Sequence, residues 1–281
     1  MIEVVDAGFF TSIQDQGRHG YRHLGVPVSG PMDKKAFSMA LALLPHAGDY
    51  NVWECTFIGP TLRLQKNTRF VVTGGEIDVK LNNTTVEMYR VYTAKSGSIL
   101  SMGKIKSGVR AYLRFEAQLQ LPHILGSSSF FASITPSSQI AKGDVFKGTV
   151  PNDLEENPVR LRFDSSYIDK KELEVVPGPD WKKLNPQDQN EITTQSFSVL
   201  AQNRMGYRLK GDVKVNASTL LSQLVLPGRV QLTPSGDLLI ATSDCQVTGG
   251  YLQILQLTED ALATLSQKRE GEQLTFQSIL G

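Results

Sequence analysis

Cysteine is scarce in this chain: only Cys55 and Cys245 occur in 281 residues. Two cysteines cannot build a disulfide framework, and these two lack metal-ligand spacing, so a reducing compartment, the cytoplasm, is the expected address. Long apolar runs are missing as well. No stretch of about 18 apolar residues exists, so no membrane span is expected. Met1-Ile2-Glu3-Val4 has no basic region ahead of an apolar stretch and does not read as a signal peptide. Charge of one sign is not in excess: 29 basic and 28 acidic residues leave a net charge of +1, with no like-charge run. Electrostatic support for nucleic acid or an anionic membrane as partner is therefore absent. The common catalytic signatures are missing too. There is no Gly-x-x-x-x-Gly-Lys-Ser/Thr, no His-Glu-x-x-His, no Cys-x-x-Cys and no Gly-x-Ser-x-Gly. His19 and His23 stand four apart, but Gly20 between them argues against a helix that would align them on a metal, and none is expected.

What is present is an apolar fraction of 40%, enough for a packed core. Short alternating runs dominate, such as Thr61 to Leu64, Arg69 to Val72, Ile77 to Leu81, Arg110 to Phe115, Arg160 to Phe163, Val230 to Leu232 and Tyr251 to Leu257. They read as strands separated by Gly, Pro, Asn and Ser turns, which implies barrels or sandwiches. Helical spacing is rare. Met32 to Leu44 predicts a helix capped by Asp33 or Ser29, and Thr258 to Gln267 predicts one capped by Thr258. A short third helix is possible near Ser218 to Gln223. Asn185 to Thr194 is polar and reads as an exposed loop.

Three pieces of sequence recur in the same order. Glu3-Val4-Val5 returns as Glu174-Val175-Val176, and Arg18-x-Gly20-Tyr21-Arg22 as Arg204-x-Gly206-Tyr207-Arg208. Thr73-Gly74-Gly75 returns as Thr248-Gly249-Gly250. Collinear matches of this kind point to a duplication. Pro151 to Pro158 is rich in turn formers and reads as the connector, which divides the chain into residues 1–155 and 156–281.

The segment from Thr11 to Asp33 holds Gly17, Gly20, Gly25 and Gly30 among Asp15, Arg18, Arg22 and Ser29. Glycines permit sharp turns and close ligand approach. Paired arginines can clamp a phosphate or carboxylate. An Asp15-to-arginine ion pair that merely staples the loop explains the same residues. Arg204 and Arg208 carry the same two readings. Asp244 could activate water or make an Asx-turn.

This segment, with Glu54-x-Thr56, Gly59-Pro60-x-Leu62, Gly108-x-Arg110-x-Tyr112-Leu113, Leu125-Gly126-Ser127, Pro177-Gly178-Pro179 and Asp244-x-Gln246-x-Thr248-Gly249-Gly250-Tyr251, resembles the carboxyltransferase C/D-type family over nearly the whole chain. That family includes the C subunit of bacterial 5-oxoprolinase, subunit 2 of allophanate hydrolase and the carboxyltransferase part of urea carboxylase. The resemblance implies a mostly β fold of two tandem cyclophilin-like β-barrel domains with a few short helices. It implies one component of an ATP-dependent 5-oxoprolinase-type amidohydrolase, with or without Mg, that opens a lactam to glutamate. Its partners would be the B-like and A-like subunits of that enzyme. A non-catalytic regulatory or binding component and a carboxyltransferase component are the alternatives. Biotin is not expected on the chain, which lacks a Met-Lys motif. Asp15 and Asp244 are the expected catalytic groups. Arg18, Arg22, Ser29, Arg204, Arg208, Thr248 and Gly249 are expected to hold substrate or phosphate. The sequence departs from the family at Ala117-Gln118, at Ser128 to Phe131, and at Ala132 to Lys142, which has neither glycine nor arginine.

Overall fold

A computed structural model describes residues 1–45, 48, 50–151, 163–211, 213 and 222–279. The chain divides into two compact units. One comprises Met1–Arg18 with Ser29–Ser165; the other comprises His19–Val28 with Ser166–Gly281. The boundary expected between residues 155 and 156 falls outside the described residues. The transfer of residues 19–28 to the second unit is not foreseeable from the linear order.

The first unit contains β1 (Ile2–Asp6), β2 (Phe10–Gln14), β3 (Val52–Thr56), β4 (Thr61–Leu64), β5 (Thr68–Leu81), β6 (Thr84–Val86), β7 (Tyr92–Ala94), β8 (Ile99–Phe115), β9 (Gln118–Leu119), β10 (Val145–Phe146) and β11 (Gly148–Thr149). Nine of these strands form one sheet that curls without closing, in the order β10-β1-β4-β8-β3-β2, with β5 on β8 and β6 and β7 on β5. Alternation puts Ile2, Val4, Ile13, Trp53, Leu62 and Leu113 on the core face. The runs at Arg69 and Ile77 belong to one strand, β5, whose pairing with β8 shifts register beside Gly74. Gly74 has φ +91°, and a Cβ there would meet the Arg110 carbonyl oxygen at 2.6 Å, so the bulge demands glycine.

Helix α1 (Lys34–Leu43) packs Ala36, Phe37, Ala40 and Leu43 against Val71 and Tyr112. Asp33 caps its start, its Oδ1 accepting from the Ala36 N–H at 3.0 Å. Buried Arg114 closes the other end, donating from Nε to the Leu44 carbonyl at 2.6 Å and from Nη1 to the Asn51 carbonyl at 3.0 Å. The cap contributes about 1 kcal/mol, and a cation at a partly buried C-terminus up to about 2 kcal/mol.

The second unit contains β12 (Glu172–Pro177), α2 (Pro186–Thr194), β13 (Phe197–Gln202), β14 (Gly206–Lys210), β15 (Gln223–Leu224), β16 (Arg229–Leu232), β17 (Leu238–Ala241), β18 (Thr248–Gly249), β19 (Leu252–Leu257), α3 (Glu259–Ser266) and β20 (Gln273–Ser278). Seven strands close a barrel in the order β12-β19-β16-β17-β14-β13-β20, with β20 returning parallel to β12. Val175, Val199, Tyr207, Val230, Ile240, Ile254 and Phe276 are buried along these strands. Strands β15 and β18 form a separate two-stranded ribbon.

The mostly β class and both principal helices match the sequence expectation, with Asp33 and Thr258 as the caps. Two local expectations are corrected. Residues 185–194 are not a loop: Asn185 accepts from the Asp188 N–H at 2.8 Å and Pro186 opens α2. The suggested helix near Ser218 lies mostly outside the described residues, and Gln223 within it is in a strand. The run from Arg160 to Arg162 also lies outside them.

Candidate functional site

In the first unit, the end of β2 delivers Asp15 to the segment Ser127–Ser129. Asp15 Oδ1 accepts from the Ser127 hydroxyl at 2.6 Å, the Ser129 hydroxyl at 2.7 Å and the Gly17 N–H at 2.8 Å. Its Oδ2 accepts from the Ser128 N–H at 2.7 Å. Burial alone would raise this carboxyl. The bonds from Ser127, Ser129, Ser128 and Gly17 outweigh burial and hold it below its usual value. A carboxylate so engaged is a weak base, and it organises the serine segment instead.

Arg18 is fully buried. Its Nη2 donates to the Ser129 carbonyl at 2.5 Å and its Nη1 to the Ser29 hydroxyl at 3.2 Å. Ser29 adopts φ +59° and Gly30 φ +80°. A Cβ on Gly30 would lie 3.2 Å from the Asp15 carbonyl oxygen, so the turn packs directly on the Asp15 backbone. Asp15, Arg18 and Ser29 therefore meet through Ser127–Ser129, and the expected Asp15-to-arginine staple is replaced by a serine bridge.

Met32, just beyond this turn, meets a buried acid on β3 that sequence reasoning passed over as a site. Glu54 Oε2 accepts from the Met32 N–H at 2.8 Å and from the Tyr112 hydroxyl at 2.8 Å. Tyr112 Oη in turn accepts from the Asp33 N–H at 2.7 Å. Arg110 Nε lies 3.8 Å from Glu54 Oε1. Burial, then the charges of Glu54 and Asp33, push the Tyr112 hydroxyl well above its ordinary range. The available signal was a glutamate in the middle of the otherwise apolar run Val52 to Cys55.

The second unit holds the remaining candidates. Arg204 grips Asp244 side-on through one edge of its guanidinium, Nε to Oδ2 at 2.7 Å and Nη2 to Oδ1 at 3.2 Å, both side chains buried. Its carbonyl also receives the Asp244 N–H at 2.8 Å and the Thr242 hydroxyl at 2.7 Å. Asp244 is thus the anchor of a hairpin and not a free base, and Arg204 is already occupied by a carboxylate. Arg208, on β14, pairs with Asp237 through Nε at 2.9 Å and through Nη2. Thr248 and Gly249 form β18. Arg22 belongs to this unit. Its Nη2 donates to the Val225 carbonyl, while Nε and Nη1 are closed off from solvent with no hydrogen-bond partner. The guanidinium lies near Cys245; burial raises that thiol, and Arg22 offsets part of the rise without making a well-aligned bond.

Register places a row of three polar side chains and one leucine across the barrel's outer face. Arg208 opposes Leu239, Leu239 opposes Gln231, and Gln231 opposes Gln253. At the end of the row, Gln253 N–H donates to Asp180 Oδ2 at 2.9 Å. A pocket of about 310 Å³ opens over the row beside Arg208, Gln231 and Leu239.

The family model for carboxyltransferase domain, subdomain A and B, matches residues 24–278. The chain belongs to this carboxyltransferase-domain family. The C subunit of 5-oxoprolinase from Haemophilus influenzae is 30% identical, over 99% of this chain and 91% of that protein. The solved structure of TTHA0988 superposes with a TM-score of 0.90 at 24% identity, a likeness of fold; it covers 99% of this chain, which spans 55% of that one. The urea amidolyase of Kluyveromyces lactis superposes with a TM-score of 0.86 at 26% identity, over 98% of this chain and 18% of that one.

In this carboxyltransferase-domain member the arginine clamp expected of Arg18 and Arg22 is corrected for Arg18, whose guanidinium is taken up by Ser129 and Ser29. Arg18 and Ser29 are interior, and Arg22 belongs to the other compact unit. The repeated Arg-x-Gly-Tyr-Arg text does not repeat as structure. Gly20 sits in a turn at φ +92° ahead of a short 3-10 segment, Arg22–Leu24, whereas Gly206-Tyr207-Arg208 lies in β14. Thr73 lies in the long strand β5, and Thr248 in the two-residue β18.

Proposed function

We propose that this chain is the C-type component of a cytoplasmic, ATP-dependent 5-oxoprolinase that hydrolyses a lactam to glutamate together with B-like and A-like partner subunits. The near end-to-end likeness to a 5-oxoprolinase C subunit carries the reading, since the urea amidolyase match occupies 18% of a much longer chain. The geometry favours shared catalysis. Asp15 and Asp244 are both held by donors, so the general base for water attack comes from elsewhere in the complex. Lactam opening is slow without activation, and ATP hydrolysis supplies the driving force. The chain has no P-loop sequence, so the nucleotide is held chiefly by a partner. Arg22, with two unmet N–H donors, is the arginine we assign to a substrate carboxylate or phosphoryl oxygen.

The test is glutamate release from 5-oxoproline and ATP by the chain alone, by its cognate partners alone, and by the mixture. Turnover is expected only in the mixture. Strong release by the chain alone would overturn shared catalysis. A stable complex with no turnover on any lactam would replace the reading with that of a non-catalytic binding component, which the glycine-free and arginine-free stretch 132–142 favours.

A further inference from the structure

We infer that the free edge of β10, in the first unit, binds the amino terminus of a peptide whose first residue is apolar. Register fixes where that edge points. Glu3 pairs with Val145, and the Val4 N–H donates to the Asp144 carbonyl at 2.9 Å. In an antiparallel ladder this makes Glu3 and Val145 a pair without mutual hydrogen bonds, so the Val145 N–H and C=O point away from β1. The opposite end of the sheet is covered. Along β2, the Ile13 and Thr11 carbonyls receive the N–H groups of Phe130 and Ile140, each at 2.9 Å. At β10 the covering chain stops short. The Gln120 N–H donates to the Lys147 carbonyl at 2.8 Å, and then Leu121 and Pro122 leave the ladder, proline having no N–H to give. Val145 remains 46% exposed, and among the described residues nothing meets its N–H or its carbonyl.

A pocket of about 270 Å³ lies in this gap, lined by Leu121, Phe130, Pro136, Val145 and Phe146, with Asp144 beside them. Its walls are fixed before a ligand arrives. Phe146 packs edge-on against Trp53, ring centroids 5.0 Å apart. Thr135 Oγ1 accepts from the Phe131 N–H at 2.8 Å and donates to the Ser137 carbonyl at 2.7 Å, which sets Pro136 in place. Pro136 and Ser137 belong to the stretch 132–142, where the sequence departs from the family.

Three features select the ligand. The paired donor and acceptor of Val145 match a peptide main chain adding to a sheet edge. The apolar lining suits one large aliphatic or aromatic side chain. The volume is at the small end for a binding site, so it holds roughly one or two residues and not a strand passing through. Asp144 supplies the charge. Its Oδ2 accepts from the Ala141 N–H at 2.7 Å, while Oδ1 accepts from no group among the described residues. Asp144 stands one residue from Val145, about 3.3 Å along the strand. The cation it favours therefore lies next to the ligand's main chain, which is where a terminal ammonium sits.

Calorimetry on the full chain tests this with Phe-Gly amide, its N-acetyl derivative and Gly-Gly amide. Phe-Gly amide should bind, and each of the other two should bind about tenfold more weakly. Hydrogen exchange at the Val145 amide should slow about tenfold when Phe-Gly amide is bound. Asp144→Asn keeps an acceptor for the Ala141 N–H and should bind the free and acetylated peptides alike. Val145→Pro removes only the outward N–H, at the first residue of an edge strand, where proline is accepted. It should weaken Phe-Gly amide about tenfold and melt within about 2 °C of wild type. A wild-type chain that does not bind Phe-Gly amide at millimolar concentration, or binds the acetylated form equally well, would overturn the site. So would slowed exchange that spares Val145, since the peptide would then sit on another surface, or an unchanged affinity in a folded Val145→Pro variant.

Discussion

Arg18→Lys separates a structural arginine from an anion clamp, because the two roles predict opposite readouts. The guanidinium of Arg18 reaches the Ser129 carbonyl at 2.5 Å from Nη2 and the Ser29 hydroxyl at 3.2 Å from Nη1. Its Nε reaches the Ile124 carbonyl at 3.5 Å, which is at the limit of a useful bond. A lysine carries one ammonium on a flexible stem and cannot span acceptors arranged around a planar fork. It keeps one of the two good bonds and abandons the other. A charged hydrogen bond is worth about 1.5–3 kcal/mol, and a buried acceptor left behind costs about 1–3 kcal/mol more. Some relaxation is expected, so the loss should fall at roughly 2–5 kcal/mol, or about 5–15 °C in melting temperature for a unit of this size. Urea unfolding measures the first number. Alkylation of Cys55 provides a local readout, since that thiol is fully buried and pushed up to about 12, chiefly by burial. It should react faster in Arg18→Lys wherever the first unit opens more often. An unchanged melting temperature together with a loss of partner-dependent turnover would refute the structural role.

The buried pair Arg204–Asp244 should behave as a coupled unit: Arg204→Ala alone should cost about 3–5 kcal/mol by stranding a carboxylate, while the double replacement Arg204→Met with Asp244→Leu should lie within about 1 kcal/mol of wild type. Additive effects in urea unfolding would show that the two side chains do not interact. Asp15 should contribute stability that depends on pH. Its folded-state carboxyl lies below the ordinary value of 3.8, so the contribution is present above that value and is lost as pH falls through the folded one. The stability difference between wild type and Asp15→Asn should therefore be constant from neutral pH to about pH 5 and shrink below about pH 4; a difference that stays flat to pH 2 would contradict the bond pattern.

Much of the fold can be read from period and caps, because those signals are local. Asp33 and Thr258 bond N–H groups three residues ahead, and the apolar stripes of α1 and α3 follow at once. Helix α2 escapes that reading because it buries little: Ile192 is its one buried residue, so no stripe exists, and the Asn185-Pro186 start was the signal to use. The repeated pentapeptide misleads for the opposite reason. A glycine accepts both a turn at φ +92° and a strand, so Arg-x-Gly-Tyr-Arg takes whichever conformation its surroundings impose. The site was less legible still. Arginines and aspartates suggest anion binding and acid-base work when seen in a line of text, but their partners are set by tertiary structure. Asp244 is 40 residues from Arg204, and Ser129 is 111 residues from Arg18. Once those partners are in place, the charged groups that looked most reactive have their hydrogen bonding met. Among the described residues, Arg22 is the one candidate of that kind that keeps buried N–H groups unmet, and Gln14 Oε1, Gln195 Nε2, Arg229 Nε, Gln231 Oε1 and Gln256 Oε1 are unmet as well. Burial makes an unmet polar atom costly, whereas a satisfied ion pair has no residual demand for a ligand. Unmet hydrogen bonding, not charge, is therefore what sets Arg22 apart from Asp15, Arg18, Arg204 and Asp244 among the charged candidates.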